Sequence, residues 1–196
     1  MSSKNLTGNK RIIRDSCIDL HTNVQLWRRI TINMHSTILA ISQIRQKQLS
    51  GEELHPEDKL KVNTFEELSL MSNQLEENLK NLESIVSKME KNMQKLNALS
   101  TLSKSQLSES SFDSDEIPFQ SWPLSKFCSM SEEIEGMYKE ELKTKMNICR
   151  ELCIVQDRST LCFFETCWKY EPNIDNRKLN SLLTQVIFEL ELQTQL

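Results

Sequence analysis

Residues 65–96 read FEELSLMSNQLEENLKNLESIVSKMEKNMQKL, and this stretch decides the fold. Steps of three and four along it give Phe65, Leu68, Ser72, Leu75, Leu79, Leu82, Val86, Met89, Met93 and Leu96, nine of ten apolar. That alternation is the heptad repeat, which keeps one seam of a helix against a neighbouring helix. No glycine or proline falls between Pro56 and Pro118. A helix over residues 56–102 would run about 70 Å at ~1.5 Å per residue. A compact domain built from 196 residues cannot bury a stripe of that length. The helix needs another long helix beside it: one from this chain, one from a partner, or both.

The chain supplies a first companion upstream. From Ile13 the same steps give Cys17, Leu20, Val24, Trp27, Thr31, Met34, Ile38, Ile41, Arg45 and Gln48, eight of eleven apolar. The predicted helix spans about 10–48, and its polar end predicts a seam that weakens toward the turn. Between the two patterns lie Gly51, suited to a helix C-terminus, and Pro56, suited to a helix start. Charge agrees with the pairing. Residues 10–48 carry seven Lys/Arg against two Asp/Glu, whereas residues 49–99 carry six against ten. Segments of opposite sign attract when folded back antiparallel. The expected fold class is therefore all-α: a long antiparallel coiled-coil hairpin over 10–102, after a disordered 1–9.

Residues 103–121 are rich in serine and acid, which predicts a disordered linker. Ser110 and Ser111 precede Asp113, Asp115 and Glu116, a setting for phosphorylation by an acid-directed kinase. Residues 122–196 then predict a small helical unit with its own core. Ser125 is a candidate N-cap for a helix to about Leu152. Asp157 starts a short helix that Tyr170-Glu171-Pro172 ends, and Asp175 caps a last, leucine-rich helix. Trp122, Phe127, Met137, Tyr138, Leu142 and Trp168 are the candidates there for core packing or for partner contact, since tryptophan anchors both.

The residues argue against catalysis. Three glycines (Gly8, Gly51, Gly136) stand apart and form no phosphate-cradling loop. No histidine follows His55, so a Cys–His pair would have to span the chain, and no GxSxG occurs. Cys149 and Cys153 are one helical turn apart, but there is no CxxC; the six cysteines read as free thiols, and no metal or cofactor is expected. Lys10, Arg11, Arg14, Arg28 and Arg29 are too sparse, in a chain of pI near 5.5, to predict direct nucleic-acid binding. No apolar run is long enough for a membrane span, and the first eight residues hold no signal core. Arg150-Glu151-Leu152 and Arg177-Lys178-Leu179 match the short Arg-x-Leu cyclin-docking pattern, but both fall in predicted helices and read as helix surface.

The C-terminal residues carry a resemblance. Ser121-Trp122-Pro123, Phe127, Met137-Tyr138-Lys139-Glu140-Glu141-Leu142 and Glu151-Leu152 resemble the cyclin-dependent kinase 2-interacting protein family. Thr160-Leu161, Trp168, Pro172, Asp175 and the segment 177–183 continue that pattern over about 75 residues. The N-terminal half matches in kind: a tryptophan-bearing helix, a loop and a long heptad helix. The resemblance implies a non-catalytic adaptor in the nucleus, and also in the cytoplasm. It implies as partners a helical coiled-coil subunit, an AAA+ ATPase of the Afg2 type, cyclin-dependent kinase and an origin-firing kinase. It implies roles in replisome protein turnover, large ribosomal subunit maturation and checkpoint signalling. On this reading the seam residues Leu20, Val24, Trp27, Met34, Ile38, Leu68, Leu75, Leu79, Leu82, Val86, Met89, Met93 and Leu96 are the expected partner-binding set. A self-associating coiled-coil structural protein and a kinase-docking regulator are the alternatives.

Overall fold

A computed structural model describes residues 8–50, 61–107 and 117–191. Among these residues the secondary structure is entirely helical. α1 is Asn9–Ser50, α2 is Lys61–Leu107, α3 is Leu124–Glu151, α4 is Arg158–Tyr170 and α5 is Asn176–Glu189. α1 and α2 form the long helical hairpin, and three shorter helices follow. The two short helices begin where their carboxylates allow. Asp157 accepts from the Thr160 N–H at 2.8 Å and Asp175 from the Lys178 N–H at 3.0 Å, each satisfying a donor in the first helical turn. α4 stops at Glu171, which takes the left-handed conformation at φ 47° and returns its N–H to the Cys167 carbonyl.

Several boundaries differ from the sequence expectation. α2 runs on to Leu107, so residues 103–107 are helix rather than linker; serine at exposed positions does not stop a helix that is already propagating. At the other end of that segment, Pro118 is buried, and Gln120 donates to the Phe188 carbonyl at 3.1 Å. α3 starts at Leu124, so Ser125 lies inside the helix and does not cap it. Of the expected disordered residues 1–9, Asn9 opens α1 and Gly8 is the turn before it; residues 1–7, the turn at Gly51 and Pro56, and Ser110 and Ser111 lie outside the described residues.

Packing divides the chain into two units, and the division does not fall at the 103–121 segment. The first unit gathers Met1–Gln25, Val86–Tyr138 and Ile174–Leu196. Its core joins Cys17, Leu20 and Val24 of α1 to Met89 and Leu96 of α2, Phe127 and Ile134 of α3, and Leu179 and Leu183 of α5. Trp122 meets Phe127 edge-on at 5.2 Å between ring centroids, with Lys126 over the indole at 4.6 Å. Such pairs add to area burial. One carboxylate ties this unit together. Glu189, near the end of α5, accepts from the N–H groups of Ser121 (2.9 Å) and Trp122 (3.1 Å) and from the Ser121 hydroxyl. Burial raises its pKa, but those hydrogen bonds from Ser121, Trp122 and Gln120 outweigh burial and hold it below the ordinary value.

The second unit gathers Leu26–Ile85 and Lys139–Asn173. Trp27, Met34, Ile38 and Ile41 of α1 are buried here with Leu75 and Leu82 of α2, Ile148 of α3 and Leu161 and Trp168 of α4. The third helical layer is the feature that composition concealed. Residues on α3 and α5 complete the first unit's core and residues on α3 and α4 the second's, so each unit combines hairpin segments with residues from 122–196.

Candidate docking groove

The second unit presents a groove of about 470 Å³ between α2 and α3. Leu75 and Leu79 of α2 and Met146 and Cys149 of α3 give it apolar walls; Glu76, Lys80, Glu83 and Arg150 supply charges along it. Glu76 and Lys80 are paired at 3.1 Å, one turn apart on α2. Toward the start of α2, Leu68 and Met71 are half-buried and Leu70 is 70% exposed. Over this third of α2 the other described residues cover the heptad seam only in part. An apolar channel with charged margins, lined by two helices, fits the apolar face of a third helix.

The wall behind the groove is held by a buried polar cluster that the sequence did not reveal. Lys145 on α3 is fully buried. Its Nζ lies 3.3 Å from Glu141 and 3.4 Å from Glu171, donates to the Trp168 carbonyl at 3.0 Å, and sits 4.3 Å from the Trp168 ring centroid. Glu171 also accepts from Trp27 Nε1 at 2.8 Å, and Trp168 Nε1 donates to the Thr31 carbonyl at 3.2 Å. Glu141 receives the N–H and the side-chain amide of Asn173 at 3.1 and 3.0 Å. Burial pushes the Glu141 pKa above its ordinary value, against the lowering effect of Lys145 and Asn173. The cluster links α1, α3 and α4. A buried ion pair adds little net stability but is costly to break, so it specifies which helices meet. The one sequence signal was Glu141 four residues before Lys145, the favourable helical order, and that spacing is far more often solvent-exposed.

Other polar contacts of α1 also run to the α4 side. Ser42 donates to Glu165, and Arg45 donates to the Val155 carbonyl at 2.9 Å. The polar end of the first heptad pattern is therefore an anchor for the chain between α3 and α4.

Among the expected seam residues, Leu20, Val24, Trp27, Met34, Ile38, Leu75, Leu82, Val86, Met89 and Leu96 are buried within the chain, whereas Leu68, Leu79 and Met93 are half-buried. Closure by α3, α4 and α5 leaves the buried set little surface for a partner. Trp122, Phe127, Tyr138 and Trp168 are core, while Met137 and Leu142 are half-buried. Leu152 and Leu179, the leucines of the two Arg-x-Leu matches, are both fully buried, so neither match presents its apolar anchor. All six cysteines are free thiols. Burial, with a smaller contribution from Cys128, raises Cys17 to about 12. Burial raises Cys149 to about 12 as well, with Lys145 opposing and Cys153 adding. Among the described residues no three His, Cys, Asp or Glu side chains gather as metal ligands, and no helix is long and apolar enough to cross a membrane.

No protein-family model matches the chain. Individual proteins do. The cyclin-dependent kinase 2-interacting protein of Xenopus laevis is 26% identical over 190 residues, covering 94% of this chain and 90% of that protein. The proteins of the same name from Mus musculus and Homo sapiens are each 24% identical, over 92% and 87% of this chain and 90% and 84% of their own lengths. Along most of its length the chain is similar to the cyclin-dependent kinase 2-interacting proteins. The similarity to the cyclin-dependent kinase 2-interacting proteins is not confined to the last 75 residues. Coverage that high takes in most of the helical hairpin as well as α3 to α5.

Proposed function

We propose that this chain is a non-catalytic adaptor whose α2–α3 groove receives an amphipathic helix of a second, coiled-coil subunit. The observation that carries this reading is the incomplete cover of the heptad seam. Leu68 and Leu79 on that stripe are half-buried and Leu70 beside it is exposed, whereas Leu75, Leu82 and Val86 are buried. A long helix keeps such residues outside its own core when another helix covers them in the working assembly. The relatives' name supports cyclin-dependent kinase as a partner of this chain too. Buried Leu152 and Leu179 argue that such a contact does not use the Arg-x-Leu matches. The family resemblance extends the proposal to a nuclear assembly that contains an AAA+ ATPase of the Afg2 type and acts at replisomes and maturing large ribosomal subunits.

Capture of the tagged full chain from nuclear extract, followed by mass spectrometry, tests this reading. The expected companions are a small coiled-coil protein, an AAA+ ATPase and a cyclin-dependent kinase. Leu79→Asp is expected to lose the coiled-coil companion. Recovery of the chain by itself overturns the adaptor reading. A stable homodimer in sedimentation, with both copies using the groove, would replace it with self-association.

A further inference from the structure

Charge is unevenly divided around the α2–α3 groove, and the division narrows the kind of helix that the groove takes. Residues 66–83 of α2 hold five glutamates (Glu66, Glu67, Glu76, Glu77 and Glu83) against one lysine, a net charge of −4. All five glutamates are exposed. The lysine, Lys80, is paired with Glu76 at 3.1 Å. Glu83 lines the groove one heptad on from Glu76, at the same position beside the apolar seam. The α3 margin does not balance this. Lys143 is paired with Glu140 at 2.6 Å, and Arg150, which lines the groove, is followed by the exposed Glu151. A visitor to the groove therefore meets apolar walls in a negative field.

We infer that the occupant of the groove is a basic amphipathic helix of a partner protein. Its apolar stripe packs on Leu75, Leu79 and Met146, and the lysines or arginines flanking that stripe face the α2 carboxylates. This rests on the helix-docking reading proposed above and adds the partner's charge to it. Positions beside an apolar seam are where paired helices select each other by charge. An acidic helix with the same stripe would set like charges along α2, which rejects it. Exposed ion pairs each add little to affinity, so the summed field acts on selectivity and association rate. A second copy of this chain does not supply such a helix. Its basic helix, α1, has the stripe from Ile13 to Ile41 buried in the chain's own cores. Two grooves placed face to face would set one acidic stretch of α2 against the other.

The test uses the full chain and two fluorescent synthetic helices of about 20 residues, long enough to hold helical structure. Both carry leucines at heptad spacing; one has lysines beside the stripe and the other glutamates. Anisotropy is expected to show saturable binding of the lysine helix that weakens as salt is raised. The glutamate helix is expected to bind at least about tenfold more weakly at low salt. Glu76→Gln with Glu83→Gln alters exposed side chains, so circular dichroism should be unchanged while affinity for the lysine helix falls about threefold and its salt dependence flattens. Leu79→Ser removes an apolar contact without changing the field and is expected to weaken both helices. Equal binding of the two helices, each still sensitive to Leu79→Ser, overturns the basic-partner inference and leaves the docking groove standing. Binding of neither helix, or binding indifferent to Leu79→Ser, removes the groove reading and this inference with it. Undiminished binding of a lysine helix whose leucines are replaced by serine reduces the site to general charge attraction and also overturns the inference.

Discussion

The ammonium of Lys145 lies 4.3 Å from the ring centroid of Trp168 and donates to that residue's own carbonyl at 3.0 Å. A charge with no exposed surface is thus held by an aromatic face, a backbone oxygen and the carboxylates of Glu141 and Glu171. α3 and α4 are joined at this point, and Trp27 brings α1 to the same cluster through Glu171. Removing the cation strands its partners. Lys145→Met should destabilise the protein by about 3–5 kcal/mol, because Glu141 remains buried without its cation and the half-buried Glu171 loses the same partner. Urea denaturation measures this. Adding Glu141→Gln to that variant should recover part of the loss; a variant as stable as the parent would mean the cluster is solvated in solution.

Trp27→Phe probes the α1 side of the same cluster. The ring volume changes modestly, but Glu171 loses a donor at 2.8 Å. A loss of about 1.5–3 kcal/mol is expected from removing a hydrogen bond to a charged acceptor that then keeps Lys145. Thermal melts followed by circular dichroism would show it, and a shift no larger than that of an exposed control substitution would refute the role given to this bond.

Acid should weaken the first unit through Glu189. Its pKa is lowered in the folded chain, so its contribution is fully present above the ordinary glutamate value and is lost as pH falls through the lowered one. Glu189→Gln should cost about 1–3 kcal/mol at neutral pH. The gap between parent and variant should close on acidification. Glu141 has the opposite sign: with a raised pKa, its ionised form is disfavoured above that value, and protonation on acidification relieves the penalty. Parallel denaturation curves across the acid range, with a gap that stays constant, would contradict the Glu189 account.

Thiol reactivity should rank the cysteines. Cys162 is exposed, whereas burial holds Cys17 and Cys149 at about 12, where little thiolate exists near neutral pH. A chromogenic disulfide reagent should modify Cys162 fast in the native protein and Cys17 only on unfolding. Mass mapping that finds Cys17 modified first would show that the first unit opens readily.

Partner binding should separate two leucines that look equivalent on the heptad. Leu82 is fully buried, so Leu82→Asp places a charge in the core and should unfold the second unit, abolishing binding indirectly. Leu79 lines the groove and is half-buried, so Leu79→Asp should keep the helical spectrum while losing the helical partner. Binding retained by a folded Leu79→Asp variant would move the docking surface elsewhere.

The sequence by itself determined the helices and the seam. Heptad spacing fixed α1 and α2, because one apolar stripe repeated over many turns has a single low-energy arrangement, along another helix. Asp157 and Asp175 marked their helix starts because the capping bond is local, made within three residues. Tertiary structure alone decided what covers that seam. The joining of Lys145 to Glu171 and Trp27 depends on residues 26 and 118 positions away along the chain, which no local period records. The same holds for the closure of Leu82 and the partial exposure of Leu79, three residues apart on one stripe. Periodicity says that both face inward; only the position of α3 decides which of them still meets solvent, and so where a partner helix can lie.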